Sequence, residues 1–532
     1  MERNYARIEI NEEFKQGIHL LENSSKNVFI TGRAGTGKST LLQYWRQKTE
    51  KKIVVLAPTG VSAINVEGQT IHSFFGFKPG ITPEIAKKLS VSEKLKEILQ
   101  NLDIIVIDEI SMVRADLLDC INEFLKIHGK KRYIPFGGIK MVFIGDLYQL
   151  PPVEKKEEKD ILKKYETPFF FSSRAFHEIR DNIEFVELMK VYRQEETEFL
   201  EILNSIRNGS IKYRENLNLL EKLNERVFPD FEPPDDENYV YLSTTNKIVN
   251  EINEEKLMKL KGELYRFYGY IEGNFSKDEL PVPRELKLKK GAQIMLLNNH
   301  PSGIWVNGTI GKVVDIREET IENGDKIGII DIKLENGNLV SIGPHRWDKI
   351  EFKYDKQKDE IVSSVVGSYI QYPVKLAWAI TVHKSQGLTF DKVIINLKGG
   401  IFAHGQLYVA LSRCRSLSGL ILKNRINPSH IWMDTRVREF ITNFQYKLSS
   451  QNLSRKEKEK ILKYAIKNRK EVKITYLKVK DEKTVRTVTP FKVGEITFNG
   501  KKIPVLIGYC HLRKEKRVFH LDRILSIEIL TA

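Results

Sequence analysis

Val28-Phe29-Ile30 runs into Gly32-Arg33-Ala34-Gly35-Thr36-Gly37-Lys38-Ser39, and the reading of this stretch decides the fold. The apolar run reads as a strand buried on both faces, the glycine-rich segment as a phosphate loop, and Lys38 to Lys48 as a helix. Glycines let the backbone wrap so that successive N–H groups point inward at phosphate oxygens, and the helix N-terminus adds its dipole. Gly35, Thr36, Gly37, Lys38, Ser39 and Thr40 are therefore the candidate nucleotide-binding set. Lys38 is placed to reach the β and γ oxygens, and the Ser39 hydroxyl to bind Mg²⁺.

Working outward, Ile53-Val54-Val55-Leu56, Ile104-Ile105-Val106-Ile107 and Met141-Val142-Phe143-Ile144 are further short apolar runs bounded by Gly, Pro or Asp. Between them Leu117, Leu118, Ile121, Phe124 and Leu125 form one apolar helical stripe, so the region reads as a doubly wound α/β domain. Asp108-Glu109 closes one run, and an acid at the carboxyl end of a neighbouring parallel strand lies beside the phosphate loop. Asp108 is then a candidate for holding Mg²⁺ through water, and Glu109 for polarising the attacking water. The alternative is a pair of helix-capping acids before Ile110-Ser111.

The α/β theme returns at Tyr239-Val240-Tyr241-Leu242 and Val393-Ile394-Ile395, interrupted by a β-rich stretch at 285–370. There Asn336-Gly337 separates Ile330/Ile332/Leu334 from Leu339 and Val340, which predicts a hairpin and, around it, an inserted small barrel. Pro229 to Asp236 reads as a loop, and Lys155 to Lys164 as a solvated helix or linker. Ser449 to Asn452 reads as a polar linker, followed by a basic helix with Ile461, Leu462, Ala465 and Ile466 on its buried face. The runs Val472 to Leu477, Thr484 to Thr489 and Val505 to Tyr509 then build a last β-rich unit.

Composition bounds the function. The 532 residues suit three to five domains, 41% apolar content excludes wholesale disorder, and a net charge of +16 suits a polyanionic partner. The three cysteines, Cys120, Cys414 and Cys510, are far apart, so neither a disulfide framework nor a structural zinc is expected. No apolar run approaches the length of a membrane span, and Met1-Glu2-Arg3-Asn4-Tyr5 lacks a signal-peptide pattern. A soluble, cytoplasmic protein of a reducing compartment is the expectation.

Beyond the phosphate loop, further segments follow in a recognisable order. They are Ala57-Pro58-Thr59-Gly60-Val61-Ser62-Ala63-Ile64-Asn65 with Thr70-Ile71-His72-Ser73-Phe74-Phe75, and Asp108-Glu109-Ile110-Ser111-Met112-Val113 leading into a helix through Asn122. Phe143-Ile144-Gly145-Asp146-Leu147-Tyr148-Gln149-Leu150-Pro151-Pro152 and Val191-Tyr192-Arg193 come next. Thr381-Val382-His383-Lys384-Ser385-Gln386-Gly387-Leu388-Thr389-Phe390 and Tyr408-Val409-Ala410-Leu411-Ser412-Arg413 complete the set. Together these resemble a superfamily-one helicase of the Pif (petite integration frequency) branch over roughly residues 10–440. Residues 455–531 resemble a WYL-type domain through Thr489-Pro490-Phe491, Gly508-Tyr509-Cys510 and the run Arg517 to Ile524, although the naming tripeptide is Pro504-Val505-Leu506 here.

The resemblance implies two RecA-like P-loop NTPase domains with ATP between them, an inserted SH3-like β-barrel and a C-terminal WYL-like domain. The division it implies is 1–180 with a wedge at about 75–98, 181–284 with 371–445, the barrel 285–370, and 455–532. It implies that Lys38, Asp108, Glu109, Gln149, Arg193 and Arg413 are catalytic. Gln149 would sense the γ-phosphate, and the two arginines would enter the cleft as fingers from the second half. Thr59, Gly60, His72, Phe74, Thr381, His383, Lys384, Ser385 and Gly387 match the family's single-strand contacts, with one of Phe74 and Phe75 expected in the core. Trp305 and Asn307-Gly308-Thr309 are candidates at a barrel turn, although a lone Trp is more often a core or staple residue. So are Arg513, Arg517 and Arg523, with the Lys-rich helix Arg455 to Lys470, although that helix reads equally well as a solvated basic face.

The implied activity is ATP- and Mg²⁺-dependent unwinding with 5′-to-3′ travel on single-stranded DNA. Its substrates would be single strands and single–double junctions, including G-quadruplexes or RNA–DNA hybrids, and the working unit a monomer. An ATP-switched binding protein without unwinding, or a regulator with a vestigial motor, are the alternatives. One departure stands out. Asn11-Glu12-Glu13 is followed by Phe14 where the family carries an adenine-reading glutamine, and the nearest glutamine is Gln16.

Overall fold

Apolar runs that alternate with helices give six parallel strands: β1 (Asn27–Gly32), β2 (Ile53–Ala57), β3 (Gln69–Thr70), β4 (Ile104–Ile107), β5 (Lys140–Ile144) and β6 (Ile183–Leu188). They pair in the order β3-β2-β4-β5-β1-β6. This computed structural model describes residues 10–530 apart from 79, 155–158, 195, 235–236, 277–278, 321–325, 399, 402, 479–480 and 499. Val28, Ile30, Val55, Val106, Val142 and Ile144 are almost fully buried beneath the helices, as two-face burial of a parallel sheet requires. Of the charged 155–164 stretch, residues 159–164 are described, and they carry the helix Lys159–Leu162.

Two expectations change here. The strands beside β1 are β5 and β6, so Asp108 at the end of β4 stands one strand farther from the phosphate loop than a neighbouring strand would put it. β6 pairs with β1 from Asn27↔Ile183 to Gly32↔Leu188, so the first sheet extends past residue 180.

Lys140 opens β5 and ties the sheet to the N-terminal helix Glu12–Asn23. Its Nζ donates to the carbonyls of Leu20, Leu21 and Ser24 at 2.8, 2.9 and 2.7 Å, at the helix end where a cation is favoured. Lys140→Met keeps the stem and removes all three donors, so a loss of about 2–3 kcal/mol is expected in a denaturant melt. A loss below about 0.5 kcal/mol would show that water replaces the ammonium.

A second parallel sheet orders Ala379–Thr381, β7 (Val240–Ser243), Val393–Ile395 and Leu420–Leu422. The chain between β7 and Ala379 builds the insertion. Its five-stranded sheet orders Leu339–Ile342, Lys326–Leu334, Ile310–Thr320, Gln293–Leu296 and Val374–Leu376, and a three-stranded one orders His345–Asp355, Glu360–Gln371 and Tyr270–Gly273. The Asn336-Gly337 hairpin forms, with Ile332 opposite Val340. Strands at Tyr265–Tyr268 and Val374–Leu376 pair with insertion strands, so the insertion is wider than 285–370. Trp305 is 8% exposed, with its indole N–H on Asn298 Oδ1 at 3.1 Å, and is a core residue rather than a surface one.

Contacts divide the chain into two compact units, Met1–Ile206 with Ile211–Trp432, and Arg207–Ser210 with Met433–Ala532. In the second unit a five-stranded antiparallel sheet orders Glu515–His520, Lys501–Cys510, Glu482–Phe498, Val472–Lys478 and Ile524–Ile529. The expected linker at 449–452 is helical, because the helix Thr435–Asn452 runs through it and Ser449 Oγ donates to Leu525 O at 2.9 Å. The helix Arg455–Lys467 begins with a reciprocal Ser454/Glu457 cap and buries Leu462 and Ala465. Part of its charge is already engaged. Lys458 is buried, and Arg455 pairs with Glu459 and Glu495.

Candidate nucleotide site and strand-facing residues

The phosphate loop leaves the carboxyl end of β1 and enters the helix Lys38–Arg46 through Gly37. Gly35 has φ +80, and a Cβ there would lie 2.5 Å from Arg193 Cβ, so only glycine suits this position. Lys38 Nζ donates to the Gly32 and Arg33 carbonyls at 2.8 and 3.0 Å, which holds its charge at the mouth of the loop. Ser39 is exposed in the first helical turn and Thr40 half-buried.

Acids gather at the same sheet edge. Asp108 is 6% exposed, and burial, reinforced by Glu109, pushes its carboxyl up to about 7. Burial also raises Glu109, which the Lys38 and Arg413 charges oppose and Asp146 reinforces. Glu109 holds φ +50, a left-handed conformation unusual outside glycine and the kind of local strain found at functional sites. Asp146, at the end of β5, is fully buried and accepts from the Tyr148 amide at 3.2 Å and Gln149 Nε2 at 3.4 Å.

The two arginines come from different halves, which corrects the expectation that both come from the second. Arg193 follows β6 of the first sheet and packs on Gly35, and Arg413 follows the helix Gln406–Leu411 between strands of the second sheet. Arg193 Nη2 donates to Gly387 O at 3.1 Å, and burial lowers its pKa to about 10. Arg413 is 1% exposed and donates to the carbonyls of Val409, Ser385 and Leu388 at 2.9, 3.2 and 3.2 Å. Burial, with repulsion from Arg193, lowers its pKa well below the usual range. Among the described residues neither arginine forms an ion pair within 4.0 Å: their hydrogen-bond acceptors are neutral, and Arg413 feels the Glu109 and Asp146 charges only at longer range. Such a pair suits an incoming polyanion.

A hard cation fits the donors present. Among the described residues no group of three or more His, Cys, Asp or Glu is arranged as a protein-only metal site. One hydroxyl, one carboxylate and substrate phosphates match the way Mg²⁺ is held in nucleotide enzymes.

The strand-facing set divides. Thr59 caps the helix Gly60–Asn65 by accepting the Ser62 amide at 3.2 Å, and Gly60 lies beside Glu279 of the insertion. A cavity of about 370 Å³ opens there, lined by Gly60, Thr70, Ser73, Glu279, Trp347 and Lys349 among others. His72 is half-buried in the helix Ile71–Phe75. Phe74 and Phe75 are 6% and 3% exposed and meet edge-to-face at 4.9 Å, so both are core and the expectation of one exposed ring fails. Phe74 presents no face for a base, because Phe75 and Phe352 pack around it.

In the second half Lys384 and Gly387 are exposed and His383 is half-buried. Thr381 is 5% exposed and accepts the Lys384 amide through Oγ1 at 3.3 Å. Ser385 departs from expectation. It is fully buried, with Oγ donating to Val382 O at 2.8 Å, and its own carbonyl supports Arg413. Phe14 is 4% exposed and packs edge-to-face with Tyr44, so it is core, while Gln16 is exposed.

Sequence reasoning assigned no role to Asp146, Tyr408 or Gln194, although all three lie in or beside the quoted segments. Gln194 Nε2 bridges the Ser412 and Cys414 carbonyls at 3.0 and 2.9 Å, and only sheet order reveals that Asp146 flanks the loop. All three cysteines are buried and free. No described helix is long and apolar enough to cross a membrane.

A phosphate loop on one parallel sheet, with an arginine, Arg413, carried toward its acids from a second, defines a two-lobed P-loop NTPase motor built from RecA-like domains. Family models described as PIF1-like helicase, UvrD-like helicase C-terminal domain and WYL domain match residues 9–216, 376–421 and 459–529. The ATP-dependent DNA helicase Pif1 of Bdellovibrio bacteriovorus is 32% identical over 451 residues, 82% of this chain and 93% of that protein. Its namesake from Campylobacter jejuni is 35% identical over 409 residues, covering 73% and 86%. The structure of Bacteroides sp Pif1 in complex with ADP-AlF4 superposes with TM-score 0.75 at 37% identity, covering 83% of this chain and 98% of that one. Pif1 from Candida albicans gives 0.62 at 31%, covering 82% and 99%. The chain belongs to the PIF1-like helicase family and is an ATP-dependent DNA helicase.

Proposed function

We propose that the protein travels 5′ to 3′ on single-stranded DNA and opens duplex at single–double junctions, driven by ATP hydrolysis with Mg²⁺. The observation that carries this reading is the meeting of two arginines, Arg193 packed on the phosphate loop at Gly35 and Arg413 brought by the second half beside Glu109 and Asp146. Lys38 would neutralise the β and γ oxygens, and Ser39 and Asp108 would hold Mg²⁺. The metal would add charge neutralisation at the bridging oxygens. Glu109 would accept the proton of the attacking water, and Gln149 would register the terminal phosphate. A guanidinium supplied across the cleft by Arg413 would tie turnover to closure, which would turn hydrolysis into stepwise movement.

Thr59, Gly60, His72, Thr381, His383, Lys384 and Gly387 are the proposed strand contacts. Hydroxyl, backbone and ammonium donors suit phosphates whatever the sequence, and imidazoles suit stacking. We assign the insertion as an SH3-like barrel that acts with segment 75–98 at the junction. Lys94–Glu351 and Lys356–Glu97 pairs, at 2.6 and 2.7 Å, support that partnership. The domains proposed are the two sheets, the insertion and the WYL-like unit, acting as a monomer in the cytoplasm on nucleoid DNA. Polarity rests on the family resemblance.

Duplexes with a single-stranded tail of either polarity test the reading. ATP-dependent displacement is expected on 5′ tails and not on 3′ tails; the reverse would overturn the polarity. Hydrolysis indifferent to DNA, with no displacement, would instead favour a nucleotide-switched binding protein.

A further inference from the structure

Tyr408 lies in the short helix Gln406–Leu411, only 4% exposed. A neutral phenol has one proton to donate and lone pairs to accept, and here both capacities are used across the cleft. The Tyr408 hydroxyl accepts the Ala34 amide of the phosphate loop at 3.0 Å and donates to Asp146 Oδ2 at 3.4 Å. Asp146 accepts in turn from Gln149 Nε2 at 3.4 Å, and Gln386 Nε2 donates to Gln149 Oε1 at 3.4 Å. A continuous polar path therefore runs from the phosphate loop through the second lobe to Gln149.

The surroundings hold this path in register. His404 Nε2 lies 2.9 Å from Leu147 O. At Gly405 a Cβ would come within 2.3 Å of Tyr148 O and 2.4 Å of Gln149 O, so the helix start presses on the backbone that carries Gln149. Ala34 precedes the amides from Gly35 to Thr40 proposed to meet the phosphates, so its bond to Tyr408 would shape the loop without occupying one of those donors.

We infer that Tyr408 is a positioning residue for hydrolysis: its hydroxyl couples the phosphate loop to Asp146 and thereby aligns Gln149 when the lobes meet. The inference rests on the cleft being the ATP site. Tyr408→Phe keeps the ring and its packing and removes only the hydroxyl. The KM for ATP is expected to stay within threefold of the parent, while the DNA-stimulated kcat falls roughly tenfold or more, the worth of one buried hydrogen bond. A packing role would not produce that split. Because the effect passes through Gln149, adding Tyr408→Phe to Gln149→Ala should slow turnover by less than threefold beyond Gln149→Ala alone.

A DNA-stimulated kcat within threefold of the parent, a loss carried by KM, or fully additive losses would each overturn the inference. Should Tyr408→Phe melt below the assay temperature, Asp146→Asn carries the test. It keeps the volume and weakens the acceptor, and the same split is expected; an unchanged kcat would overturn the inference. A parent enzyme whose hydrolysis ignored DNA would instead sink the motor reading itself.

Discussion

Glu109→Gln is expected to bind ATP within a few-fold of the parent affinity and to turn it over roughly 10²–10⁴-fold more slowly with saturating single-stranded DNA. The amide keeps the size and the left-handed backbone position but cannot accept a proton. Burial raises the carboxyl of Glu109, while Lys38 and Arg413 pull it down from opposite lobes. If Glu109 is the base proposed above, its strength would depend on closure, which brings Arg413 toward it. Removing its charge leaves Lys38 free to hold phosphates, so binding and turnover should separate. Fluorescent-nucleotide binding and phosphate release, measured on the same preparation, check both halves. Parent-like turnover would reject the assignment and leave Glu109 as a helix-capping acid.

Arg413→Ala is expected to lose roughly 10³–10⁵-fold in DNA-stimulated turnover, the range associated with an arginine supplied to a transferring phosphoryl group. It should also destabilise the first unit, since the Val409, Ser385 and Leu388 carbonyls would lose a buried donor. Arg413→Lys separates the two effects. An ammonium preserves the charge but cannot span three carbonyls and a phosphate with one fork, so turnover should stay at least tenfold down while most of the melting temperature returns. Single-turnover hydrolysis alongside a thermal melt reads both. Turnover within tenfold of the parent for Arg413→Ala would remove the arginine from the reaction.

The Asn336-Gly337 hairpin, the phosphate loop and the parallel strands were legible because each is encoded within a few residues, as turn chemistry, glycine spacing or an apolar run. Other features were not legible in this way. Phe74 and Phe75 carry no mark of their environment, and only the packing of Phe77, Phe124 and Phe352 around them shows that both are core. Ser385 sits amid proposed strand contacts, yet a short 3₁₀ turn, His383–Ser385, directs it inward. The polar stretch before the C-terminal unit reads as a linker by composition, while the buried faces of Val437, Ile441 and Phe444 keep it helical.

By itself the sequence determined that this protein holds a nucleotide on a parallel sheet, because the backbone amides that do so are local and need only glycines and a following helix. It also determined, through the order of its segments, the helicase family. Tertiary structure alone decided which acid flanks the loop, where the first sheet ends, and that Tyr408 and Asp146 bridge the cleft. Strand order and lobe contact join residues hundreds of positions apart, and no local pattern records a partner at that distance.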